Sequence, residues 1–224
     1  MENLNGEQAP SPGASNSARG GQSGGRFFVL DGMDGCGKTT QSKLLVKRLE
    51  AETGREVLHL REPGSTPVGE SLRALLLDSK VHLLPEVEAL LFLAARRTLL
   101  HDLVEPALAA GKHVVCERFH ASTFAYQGVA GGLGGERVLA LCHSQIEGPY
   151  PDLELILGLQ LEQAMERRGA GTDRIENQGD AYHQRVALGY EEYVGREPRA
   201  RWVHADASME EVAGAVWKEV QVAL

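Results

Sequence analysis

Phe27-Phe28-Val29-Leu30-Asp31-Gly32-Met33-Asp34-Gly35-Cys36-Gly37-Lys38-Thr39-Thr40 is the stretch that sets the fold. A short apolar run rich in β-formers enters a glycine-rich turn, and a helical pattern follows from Lys38. Gly32, Gly37, Lys38 and Thr39 match G-x-x-x-x-G-K-[ST]. The glycines let backbone N–H groups converge on a phosphate. Lys38 then reaches the β/γ-phosphates, and Thr39 offers its hydroxyl to Mg²⁺. The helix that starts there points its positive dipole end at the same phosphates. Strand before and helix after the motif are the context that a phosphate-binding loop requires.

Outward from this loop, composition bounds the rest. The 224 residues read as one domain, residues 26–224, after a tail. Hydrophobic content of 42% supports a core, and aromatics at 5% make that core aliphatic. A net charge of −8 argues against a broad nucleic-acid surface and for small-molecule chemistry, with arginine clusters as local positive sites. Cys36, Cys116 and Cys142 show no C-x-x-C spacing and read as reduced cytosolic thiols. No apolar run approaches the length of a membrane span. Residues 1–25 carry almost no large apolar side chain and read as a disordered tail without the apolar centre of a secretory signal.

Strands are expected at Phe27–Asp31, Val57–Leu60, Val114–Cys116, Leu153–Leu159 and Arg201–Ala205. Helices are expected from Lys38 to Gly54, Pro67 to Leu77, Pro85 to His101, Asp102 to Ala110, Glu136 to Ile146, from Leu161, Ala181 to Val194 and after Ser208. Gly128–Gly135 reads as a mobile glycine-rich loop, and Ser208 with Glu211 as a capping box. This alternation implies a parallel sheet covered on both faces. A guanine-reading N-K-x-D segment is missing, which argues against a GTPase. A small phosphoryl-transfer enzyme needs an acceptor site, arginines against phosphate charge and a lid, and the chain has candidates for each.

Asp31 to Gln41, Arg61-Glu62-Pro63-Gly64, Leu91 to Arg96, Glu117-Arg118-Phe119, Ser122 to Gly128 and Asp173-Arg174-Ile175-Glu176 occur in an order that resembles the thymidylate kinase family. The resemblance implies an α/β, three-layer P-loop kinase fold. It would have a five-stranded parallel sheet covered by helices on both faces and a small arginine-rich lid at about 166–178. It implies a nucleoside monophosphate kinase that moves the ATP γ-phosphoryl to dTMP, giving dTDP for dTTP biosynthesis, with Mg²⁺, as a cytoplasmic homodimer. ATP would lie on Gly32, Met33, Asp34, Gly35, Cys36, Gly37, Lys38, Thr39 and Thr40, with Thr39 and Glu117 near the metal. Asp34 would approach the acceptor 3′-hydroxyl, and Arg61 and Arg118 would clamp its phosphate. Phe92 would stack on thymine and Arg96 would bond a base carbonyl. Thr123 and Gln127 would meet the base edge, and Tyr126 the sugar. Met33 to Cys36 include no arginine, so Arg167, Arg168 and Arg174 of the lid would meet the transferring group.

Four positions depart from the family pattern. Asp31 stands for a usual Glu, Glu117 and Phe119 stand in a usual Asp-Arg-Tyr, and Ala121 replaces a frequent acid. They keep open two other readings. One is a kinase for another nucleotide or a deoxynucleoside; the other is a nucleotide-binding module without catalysis.

Overall fold

The computed structural model describes residues 24–145, 148–169 and 173–224, apart from the side chains of Gln145 and Arg168. The expected tail lies outside these residues except for Gly24 and Gly25. Gly25 is already buried, and a Cβ there would sit 1.7 Å from the Lys112 carbonyl oxygen.

The strands are β1 (Phe27–Asp31), β2 (Val57–Arg61), β3 (His113–Glu117), β4 (Leu153–Gly158) and β5 (Ala200–His204). Among the described residues they form one sheet in the order β2-β3-β1-β4-β5, and every pairing is parallel. β1 lies between β3 and β4, with Leu30 opposite Glu117 and Asp31 opposite Ile156. The chain reverses its direction of growth across the sheet at this point. The carboxyl end of β1 therefore opens the crevice where ligands of such sheets bind.

β1 is buried on both faces, as its unbroken apolar run requires. Phe28 and Leu30 pack with Leu45 and Leu49 of helix α1 (Lys38–Thr53) and Val216 and Trp217 of helix α9 (Met209–Ala223). Phe27 and Val29 face the other way, onto Leu93, Leu99 and Val104. A third cluster joins Ile156 to Tyr190 and Tyr193 of helix α8 (Asp180–Arg196) and to Phe124. Helix ends follow their sequence signals. Gly54 closes α1 in the left-handed region, and Ser208 and Glu211 form the capping box of α9. Thr66 accepts from the Gly69 N–H ahead of Pro67 in helix α2 (Pro67–Leu77).

Two expectations are corrected. The helices expected at Pro85–His101 and Asp102–Ala110 are one continuous run. Helix α3 (Pro85–Leu99) passes through a π-helical turn, Leu100–Val104, into helix α4 (Glu105–Ala109). Pro106 has no N–H to give the previous turn. The widened turn, with the Glu105 N–H on the Leu100 carbonyl, carries the chain past it. The glycine-rich loop also begins later than expected. Helix α5 (His120–Thr123) continues as a π-helical segment through Ala130, closed by the Gly131 N–H on the Tyr126 carbonyl at 2.7 Å. Helices α6 (Gly135–Gln145) and α7 (Leu161–Arg168) flank β4 in sequence.

One core carboxyl is charged only at a cost. Glu154 of β4 accepts from the Tyr193 hydroxyl at 2.9 Å, and its other oxygen has no partner. Burial pushes it up to about 8, against the hydrogen bond from Tyr193. A carboxyl raised in the folded state contributes its stability below its unfolded pKa, and loses it as pH rises through the folded value. Urea unfolding of the wild type against Glu154→Gln is therefore expected to show the wild type losing on the order of 3 kcal/mol more than the variant between pH 5 and pH 9. Parallel pH profiles would contradict this.

Candidate active site

The phosphate loop is built on close backbone approach. Gly32 has φ 136°, and a Cβ there would lie 2.6 Å from the Leu157 carbonyl oxygen. Gly37, at φ 95°, turns the chain into the first turn of α1, so the helix N-terminus faces the loop. Lys38 Nζ donates to the carbonyls of Gly32 and Met33 at 2.9 and 2.8 Å and lies 3.7 Å from Asp34. The loop and its lysine form one compact unit.

Asp31 holds that unit in place. It is fully buried, and five donors converge on it. The Gly32 N–H, the Ser122 hydroxyl and the Tyr190 hydroxyl reach Oδ1 at 2.8, 2.7 and 2.8 Å. The N–H groups of Phe119 and Ser122 reach Oδ2 at 2.9 and 3.0 Å. The chain leaving β3 is thereby drawn against β1. Arg118 sits in this turn at φ 69°, a left-handed conformation that costs a non-glycine residue strain. Its N–H bonds the Leu30 carbonyl at 3.0 Å, and its guanidinium pairs with Asp34 and donates to Ser122 at 3.0 Å. Burial opposes the Asp34 charge, but Arg118 and Lys38 outweigh it and hold this carboxyl well below the usual carboxylate range.

Beside the loop, Thr39 Oγ1 donates to Glu117 Oε2 at 2.6 Å, while Glu117 Oε1 meets His59 Nε2 at 2.9 Å. Burial would raise Glu117, but the bonds from His59 and Thr39 lower it, so it stays a carboxylate. Among the described residues no group of three or more His, Cys, Asp and Glu is placed to hold a metal ion. The hydroxyl of Thr39 and the carboxylate of Glu117 are nonetheless the hard oxygen donors that Mg²⁺ takes, in the small number it uses when phosphates and water complete its shell.

A cavity opens from Asp34 and Arg118 toward α3. Phe92, Arg96, Thr123, Tyr126 and Gln127 line it, as do Glu62 and Arg73, to which the sequence pattern assigns no role. Arg96 is almost wholly buried. Its Nε meets Glu62 at 2.7 Å, its NH2 donates to Thr123 at 3.0 Å, and it lies 4.7 Å over the Phe119 ring. Burial pushes the Glu62 carboxyl up to about 7 against the pull of Arg96. Tyr126 donates to Asp34 at 3.2 Å, and Gln127 donates to Glu88 at 2.6 Å.

Not every expected residue lies here. Arg61 is outside the cavity lining, and Glu70 takes its guanidinium at 3.1 and 3.2 Å. Arg73 of α2 stands in the cavity with Arg118, donating to the Pro63 carbonyl at 3.1 Å. Burial and the charges of Arg61 and Arg118 lower its pKa, the mark of a cation crowded by cations. Only an arginine at a helical spacing marked it in the sequence. Arg174 faces α2 and α3. It pairs with Glu88 and donates to the Leu76 carbonyl at 3.0 Å. Arg167 donates to the Ala205 carbonyl at 3.2 Å, while the Arg168 side chain and residues 170–172 of the expected lid lie outside the described residues. Tyr190, far along the chain, carried no sequence signal at all.

A phosphate loop at the switch point of a parallel sheet, facing an arginine-lined cavity, defines a small P-loop kinase. The sequence model of the family described as Thymidylate kinase matches residues 30–216. A thymidylate kinase of Gluconobacter oxydans is 43% identical over 206 residues, covering 89% of this chain and 96% of that protein. One of Caldanaerobacter subterraneus is 40% identical over 190 residues, covering 84% and 90%. The crystal structure of thymidylate kinase from Ehrlichia chaffeensis superposes with a TM-score of 0.73 at 31% identity, covering 88% of this chain and 99% of that one. The chain belongs to the thymidylate kinase family.

Replacing Asp31 by Asn keeps its shape but turns an amide donor toward donors. Asp31→Asn is expected to lose about 2–5 kcal/mol of unfolding free energy in urea. A change below about 1 kcal/mol would show that these five contacts do not hold the loop.

Proposed function

We propose that this chain transfers the γ-phosphoryl group of ATP to dTMP, giving ADP and dTDP. The carrying observation is the continuity of the cavity. One cavity is lined by Phe92, Arg96, Thr123 and Gln127 and also by Arg73, Arg118 and Asp34, the last of these in the phosphate loop. In this reading an aromatic face stacks on thymine and the Arg96 guanidinium donates to a base carbonyl. Arg118 and Arg73 hold the acceptor phosphate, with Arg61 behind them. Asp34, kept ionised, accepts from the acceptor 3′-hydroxyl, and Tyr126 packs on the sugar. The loop amides and Lys38, which exchanges its carbonyl partners for phosphate oxygens, hold the donor.

An oxygen of the dTMP phosphate attacks the γ-phosphorus, and the bond to the ADP oxygen breaks. The attacking oxygen is already anionic, so no base is needed. The chain's work is to position two anions and neutralise them. Thr39 and Glu117 would hold Mg²⁺, which supplies charge neutralisation on the donor phosphates. We assign residues 166–178 as the lid, with Arg167 and Arg168 as its cations, Arg174 being engaged by Glu88 and the Leu76 carbonyl.

The same reading includes a homodimer in the cytoplasm. Supporting it, Val68 and Leu75 of α2 and Val87 and Leu90 of α3 are 51%, 41%, 39% and 53% exposed, an apolar face on adjacent helices. The three cysteines are buried and unpaired, as suits a reducing compartment. Among the described residues no helix is long and apolar enough to cross a membrane.

The test is a panel of nucleoside monophosphates and deoxynucleosides with ATP, with products identified by chromatography. dTDP from dTMP is the expected dominant product, and it vanishes when Mg²⁺ is chelated. Phosphorylation of another acceptor, with dTMP inert, would overturn the substrate. ATP binding without turnover on any acceptor would overturn the activity. Arg118→Ala is expected to lose about 10³-fold in kcat/KM while unfolding cooperatively. Unchanged kinetics would remove Arg118 from the clamp.

A further inference from the structure

The cavity end assigned above to the base holds an unexplained chain of contacts. Gln127 is 2% exposed and lines the cavity. Its amide Nε2 donates to Glu88 Oε1 at 2.6 Å, and Glu88 Oε2 is taken by the Arg174 guanidinium. Glu88 is itself buried; it is outside the lining of this cavity and, with Gln127 and Arg174, lines a neighbouring one. Arg174 is held in turn by the carbonyls of Leu76 and Leu77, at 3.0 Å to its Nε and 3.2 Å to its N–H.

An amide side chain has a donor end and an acceptor end, and the two are nearly equal in shape. What fixes its orientation is its partner. A carboxylate paired with an arginine only accepts, so the nitrogen of Gln127 must face Glu88. The carbonyl Oε1 is then left for the cavity, and it has no hydrogen-bond partner among the described residues. Nearby, the Arg96 guanidinium only donates.

We infer that Glu88 is a positioning residue that sets the base specificity of this site by fixing the amide of Gln127 with its carbonyl toward the base. The site then presents an acceptor beside a donor. That pair matches an imide edge, a ring N3–H next to a C4 carbonyl, as in thymine or uracil. Cytosine presents the reverse, an N3 acceptor next to an amino donor, and would leave buried groups unpaired at both points. A site built this way rejects the mismatched analogue by about 10⁴ or more. This inference rests on the reading of the cavity as the dTMP site.

The experiment measures kcat/KM for dTMP and for dCMP in the wild type, Glu88→Gln, Gln127→Leu and the double variant. Gln at position 88 offers Gln127 either a donor or an acceptor, so the amide is no longer fixed. The ratio of dTMP to dCMP is expected to fall about tenfold or more in Glu88→Gln, mostly through KM for dTMP. In the Gln127→Leu background the same substitution is expected to leave the ratio alone. A merely structural role would lower both substrates together and keep the ratio, and that result overturns the inference. An effect of equal size in the Gln127→Leu background also overturns it. Should Glu88→Gln not fold, Glu88→Gln with Arg174→Gln keeps the net charge and is read by the same ratio. A wild type inert toward dTMP would sink the proposed function and this inference with it. An active wild type with an unmoved ratio sinks this inference alone.

Discussion

The Asp31 carboxylate and its five donors are the constraint on which the site depends. A charge with no exposure is tolerated only when its oxygens are fully bonded. Its donors come from the phosphate loop, from the turn after β3 and from α8, stretches up to 159 positions apart in the chain. Satisfying one carboxylate thus fixes three segments relative to the end of β1. The cost is visible next to it, in the left-handed backbone of Arg118. That strain aims a half-buried guanidinium at Asp34 of the loop, where donor and acceptor are proposed to meet.

Electrostatics follow from that arrangement. The chain as a whole carries −8, and its cavity is lined by Arg73, Arg96 and Arg118 together with Asp34, Glu62, Asp173 and Glu176. Each arginine is balanced differently. Arg96 is held by Glu62 and lies over the Phe119 face, which makes it a fixed donor. Arg118 leans on Asp34. Among the described residues Arg73 has only the Pro63 carbonyl at hydrogen-bond distance, and burial and the charges of Arg61 and Arg118 lower its pKa against the pull of Glu70 and Asp173, so an arriving phosphate relieves repulsion as well as gaining bonds. How each arginine is partnered, and not net charge, is what suits the protein to a dianionic substrate.

Much of the fold was legible in the sequence because its signals are local. The β1 run, the loop glycines, Gly54, Pro67 and the Ser208–Glu211 box each act within a few residues. The π-helical turns were not legible, since they answer a proline and a packing demand further along the chain. In the site, Phe92 and Arg96 were readable only through family resemblance, because an aromatic and an arginine at helical spacing otherwise suggest core and surface. Tyr190, Glu88 and Arg73 were missed for one reason. Their roles are defined by partners brought together in three dimensions, and periodicity reports a face without naming what it meets. The departures at Asp31 and Phe119 find physical places here. Asp31 is the bonded hub, and Phe119 lies edge-on to Phe27 at 5.5 Å and beneath Arg96.

The central claim is that two nucleotide sites converge on the phosphate loop. Calorimetry with a bisubstrate analogue, adenosine and thymidine joined 5′ to 5′ by a pentaphosphate, tests it most directly. One analogue per chain is expected to bind, about 10²-fold or more tighter than either ATP or dTMP alone, because the second half binds as a tethered ligand. An analogue held no more tightly than ATP would show that the two sites do not meet, and would contradict the account.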